Sequence, residues 1–186
     1  MQSWGTTCYS TIMIKQAILA IAALSSVACG IDPRTAEITV EDPALMGPVT
    51  EAIQHWSNAT GGDVSFRMTN ECKSDACVTI RVYEVLGDIA KTRTDDSDPM
   101  QYKALMRISA WATVQSKGFL SSVIAHELGH VLDLNHTDDI TGVERTDAEL
   151  MTAEDFGNSE GHACIGEETC KLYNKIYDGE CNVTCW

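Results

Sequence analysis

The sequence predicts an α+β domain with two main helices and a small sheet. Three observations lead there. Residues 44–57 carry apolar side chains at helical spacing. Several short segments after them alternate between apolar and polar residues, or are short and polar enough for a sheet edge. A broadly apolar helix then surrounds the run HELGHVLDLNH at 126–136.

Taken in order, residues 30–36 read as a short linker. In the first helix Leu45, Val49, Ile53 and Trp56 share one face, and the stretch from Asn58 to Gly62 ends it. His55 falls on its polar side and reads as a surface residue. Strands are expected at 64–68, 78–85 and 104–111, with 89–94 as the edge candidate. Residues 95–99 form a loop. Its Asp95, Asp96 and Asp98 offer the hard oxygen ligands that calcium takes, although a solvated acidic loop is the simpler reading. Val123, Ile124, Leu128, Val131, Leu132 and Leu134 give the second helix a wide apolar surface, as a core position demands. Beyond it, Thr152 resembles a capping residue at a helix start. Residues 166–177 read as a last helix carrying Cys170, and His162 lies in a Gly-flanked loop.

The chemistry concentrates at 126–136. A helix turns about 100° per residue, so His126 and His130 project from nearly the same side. His136 lies roughly 80° short of whole turns from His126 and would point elsewhere on an unbroken helix. The chain must therefore leave the helix near Asp133 and fold back if three imidazoles are to meet. Three neutral ligands and an open fourth position are what a catalytic zinc requires. Such a metal lowers the pKa of water towards about 7. Glu127 is placed to take the water proton as general base and pass it to a leaving amine.

This run resembles the signature of the metzincin zinc metalloproteases, HExxHxxGxxH, and Thr137 after the third His is similar to the matrixin branch. The resemblance covers roughly residues 37–160. It implies zinc-dependent hydrolysis of protein or peptide substrates, with His126, His130 and His136 as zinc ligands and Glu127 as base. It also implies a small twisted mixed sheet whose edge strand borders the cleft and pairs with an extended substrate; 89–94 is that edge here. A methionine turn is expected beneath the metal, and Met151 in ELMTAEDF matches it. The departure is Asp133, where the family has Gly. Asp tolerates the left-handed region, so positive φ is expected there with the three His converging. The alternative is a rearranged turn that displaces His136. No second His cluster is present for the structural zinc of matrix metalloproteases.

Length and charge bound the rest. With 186 residues there is room for one catalytic domain, assigned to 37–163 with a Cys-rich segment of the same domain at 164–186. The formal net charge is −14, and all 27 acidic residues lie after Ala28. That argues against nucleic acid and anionic lipid surfaces as partners. A monomer is expected.

Residues 1–28 read as a signal peptide, with Met13 as a possible start, Lys15 as the basic flank and an apolar run from Ala17 to Ala28. Cleavage before Cys29 resembles lipoprotein processing, with Cys29 lipidated. Ser26 stands where that signal usually has Leu, and Ser26 with Ala28 also suits ordinary secretion. Seven cysteines follow the signal: Cys29, Cys72, Cys77, Cys164, Cys170, Cys181 and Cys185. Lipidation of Cys29 would leave six for three disulfides, which implies an oxidising, extracytoplasmic compartment. Cys72 and Cys77 are expected to close a small loop, while the last four have three possible pairings. Membrane contact is expected only through the N-terminal lipid.

Overall fold

The computed structural model describes residues 31–84, 88–95, 97, 98, 100–137, 149–152 and 163–186. The expected signal peptide and Cys29, together with Val85, Asp96, Ala153 to Asp155 and His162, lie outside the described residues.

The described residues open with a 3-10 turn at Pro33–Thr35 and β1 at Glu37–Val40. A second 3-10 turn at Pro43–Leu45, capped by the Asp42 side chain, leads into α1, Met46–Ala59. Leu45, Val49, Ala52 and Trp56 are fully buried along one face, as the spacing predicts. Gly61 and Gly62, at φ 59° and 91°, turn the chain away from that helix. Then follow β2 (Arg67–Met68), β3 (Ala76–Tyr83), β4 (Ala90–Asp95) and β5 (Tyr102–Ser109). The helix α2, Lys117–Val131, is capped by Ser116, which accepts the Phe119 N–H. The C-terminal part holds β6 (Cys164–Ile165), α3 (Glu167–Tyr177) and β7 (Thr184–Cys185).

The main sheet has the order β2-β1-β3-β5-β4. The first three pairings are parallel and β4 joins β5 antiparallel, so the sheet is mixed and β4 is an edge strand. Alternation along β3 and β5 sends Val78, Ile80, Met106 and Ile108 into the core. The indole of Trp56 donates to the Ala125 carbonyl at 2.8 Å, locking α1 to α2.

Some expectations need correction. The strand at 64–68 pairs as a strand only over Arg67–Met68, although Ser65, Arg67 and Thr69 donate N–H bonds to the carbonyls of Arg34, Ala36 and Ile38. β1 went unread, because four residues are too few to reveal a period. The segment read as a linker contains buried Pro33 and Ala36. Nor is His55 a plain surface residue. The C-terminal tail crosses α1, where Asn182 N–H meets the Ala59 carbonyl at 2.7 Å, and Trp186 stacks on the His55 ring at 3.7 Å. Burial pushes the pKa of this His below its ordinary range, against the pull of Glu51.

Three disulfides are formed: Cys72–Cys77 as expected, then Cys164–Cys185 and Cys170–Cys181. Among the described residues no helix is long and apolar enough to cross a membrane.

Candidate metal centre

The site is built on the last turns of α2 and the turn that follows. Asp133 has φ 57°, as its place in the motif predicts. Its N–H bonds to His130 O at 3.1 Å, while Leu134 N–H bonds to Gly129 O at 3.0 Å. This pair of bonds is a Schellman ending, in which the residue after the cap adopts the left-handed conformation. Asp133 thus does what Gly would do, and the chain folds back to bring His136 over the helix.

The three imidazoles converge. His136 Nε2 lies 3.1 Å from His130 Nε2 and 3.2 Å from His126 Nε2. Two nitrogens bound to one tetrahedral zinc would lie about 3.3 Å apart. One ligand atom from each of the three residues falls within 4.8 Å of the others, the one such His/Cys/Asp/Glu group among the described residues. Backbone carbonyls set the tautomers. His126 Nδ1 donates to Leu150 O at 2.6 Å and His130 Nδ1 donates to Leu134 O at 2.8 Å. In both neutral rings Nε2 is then a lone pair. Both lone pairs face His136 Nε2, which can offer a proton to only one of them. A cation at the focus suits all three, so the donor set fits a metal ion.

Glu127 is buried beside them at 4% exposure. Thr92 Oγ1 of β4 donates to the main-chain carbonyl of Glu127 at 3.3 Å, while Oε2 is buried with no hydrogen-bond partner. Burial pushes the Glu127 carboxyl above the ordinary range, against the opposing pull of Thr92 and His130. A cleft of about 790 Å³ runs between β4 and the centre, lined by Asp88 to Thr92 on one side and by His126, Glu127, His130 and Asp133 to His136 on the other. The edge strand expected at 89–94 therefore borders the three imidazoles.

Met151 is fully buried below α2, packed so closely on Gly129 that a Cβ there would collide with its sulfur. Its carbonyl accepts the Thr137 N–H at 2.6 Å, which fastens the chain just after His136. The six paired cysteines lie apart from the imidazoles and close covalent bonds instead. Of the calcium candidates, Asp96 lies outside the described residues, and the Asp95 and Asp98 side chains accept the backbone N–H of Ser97 and Met100 in local turns. Reasoning from sequence missed Thr92, the orienting carbonyls of Leu134 and Leu150, and Tyr102 and Tyr177 at the end of α2. Leu134 lies only four residues from His130, but a backbone carbonyl leaves no mark on a residue pattern; the others meet the site through tertiary contact. Comparison with protein-family models and with curated proteins finds no match.

Proposed function

We propose that the chain is a zinc-dependent metalloendopeptidase on a metzincin-like scaffold. The observation that carries this reading is Glu127: a buried carboxylate with one unpartnered oxygen, at the base of a cleft and beside three converging imidazoles. A scaffold that only stored metal would have no use for that oxygen, whose burial is costly. Zinc is favoured by three neutral nitrogen ligands with room for a fourth, and it would supply Lewis acidity and water acidification.

The chain's own residues supply the rest. Leu150 and Leu134 hold two ligand rings in the donor tautomer through their carbonyls. Glu127 Oε2 takes a proton from the attacking water and returns it to the leaving nitrogen, a role suited to a carboxyl whose pKa is raised. The outer edge of β4 offers backbone groups to an extended peptide. Met151 forms the apolar floor under α2.

The three disulfides suggest an oxidising, extracytoplasmic environment. They use six of the seven cysteines that follow residue 28, which leaves Cys29 for a lipid anchor.

Cleavage of a peptide library by the wild-type chain tests the proposal. Expected are loss of cleavage with chelator, recovery with zinc, and a fall of about 10²–10⁴-fold in Glu127→Ala with metal still bound. Chelator-insensitive cleavage, or equal activity in the variant, would overturn the mechanism. Zinc uptake without any cleavage would favour a non-catalytic zinc-binding surface module on the same scaffold.

A further inference from the structure

The end of α2 poses a problem that its own turn does not solve. The last carbonyls of a helix have no partner within it. Leu128 O and Gly129 O accept the Leu132 N–H, Gly129 O also accepts that of Leu134, and His130 O accepts that of Asp133. The carbonyls of Val131 and Leu132 are satisfied from elsewhere. Tyr102 Oη, on β5, donates to Val131 O at 2.7 Å. Tyr177 Oη, at the end of α3, donates to Leu132 O at 3.0 Å. Two hydroxyls from separate elements thus grip consecutive carbonyls immediately before Asp133, where the chain turns towards His136.

We infer that Tyr102 and Tyr177 are positioning residues of the metal centre, clamping the end of α2 so that the following turn delivers His136 to the other two imidazoles. This rests on the metal-binding reading above and adds to it the residues that set the third ligand. Tyr177 is itself held in place. The Arg34 guanidinium lies 4.9 Å over its ring, and the Tyr173 ring lies 5.0 Å away. Arg34 is paired with Asp32 and Asp63, and Tyr173 Oη donates to Asp63 at 2.5 Å. The Cys170–Cys181 disulfide ties α3 to the tail. Burial pushes the Tyr177 hydroxyl well above the ordinary Tyr range, so it remains a donor. The third ligand thereby depends on α3 and on residues 32–34, all remote in sequence.

The test is zinc affinity of the full chain, read by competition with a chromophoric chelator. Tyr102→Phe and Tyr177→Phe are each made in the wild-type and the His136→Ala backgrounds. Each Phe variant is expected to weaken zinc binding about tenfold in the wild-type background, the scale of a lost orienting contact. With His136 removed, the same change should cost less than about twofold, because the hydroxyls act through that ligand. Unchanged affinity in the wild-type background overturns the inference. Equal losses in both backgrounds also overturn it, since they mark a general loss of fold rather than a clamp on His136. A wild-type chain that takes up no zinc overturns the metal reading itself, and this inference with it.

Discussion

At Asp133 the backbone takes φ 57° and the helix gives way to the turn that carries His136. A short polar side chain bears that conformation, whereas a β-branched one is strained in it. Asp133→Val is expected to cost about 1–2 kcal/mol and to weaken zinc binding, read from the urea midpoint and a zinc titration; an unchanged midpoint would show that the turn needs no left-handed residue. Gly129 answers to a different constraint. A methyl group there meets the Met151 sulfur, and Trp56 Cζ2 lies 3.3 Å away. Overpacking of this kind costs about 1–3 kcal/mol, so Gly129→Ala should lower the urea midpoint while leaving far-UV circular dichroism intact. No loss would mean that Met151 is free to move aside. The two residues differ in legibility. The demand on Asp133 follows from the spacing of three His, a local fact. The demand on Gly129 comes from Met151, a tertiary neighbour that no local pattern reveals.

The helices were legible because their apolar faces repeat over many residues: α1 and α3 fall within a few residues of their predicted spans. β1 was not, since four residues between two parallel neighbours, the first two buried and the last two half-buried, show no alternation. The start of α3 has a cap that only the fold could provide. Its N-cap, Gly166, makes no side-chain bond, and the buried Glu149 carboxylate accepts the Thr169 N–H at 2.7 Å instead. A negative charge at a helix N-terminus is also favoured by the helix dipole. Glu149 approaches Gly166 so closely that a Cβ there would collide with Oε2. Glu149→Ala should therefore cost about 1–2 kcal/mol, the worth of a lost cap, measured by thermal or urea unfolding. A midpoint equal to that of wild type would show that water replaces the carboxylate.

Across the molecule, acid stability should report on Glu37 at the start of β1. Its carboxylate accepts the Lys73 N–H at 2.6 Å and the Ser74 N–H at 3.1 Å, and pairs with Arg67. These contacts, led by the Lys73 bond, hold its pKa below the ordinary Glu range. A group depressed on folding stabilises the native state above its unfolded pKa of about 4.3. That stabilisation disappears as pH falls through the lower folded value. Glu37→Gln should flatten the dependence of the urea midpoint on pH below about 4.3; parallel curves for variant and wild type would refute the assignment. The sequence alone determined that a helix would present His126, Glu127 and His130 together, that the chain would turn near Asp133, and that Cys72 would find Cys77. These depend on spacings of a few residues, where helix geometry and short loops leave little choice. Tertiary structure alone decided the pairing of the last four cysteines, the tautomer that Leu150 sets at His126, the approach of Thr92 to Glu127, and the tyrosine grip on α2. Each joins residues far apart in the chain, and such contacts are specified by how whole elements pack, which no local period encodes.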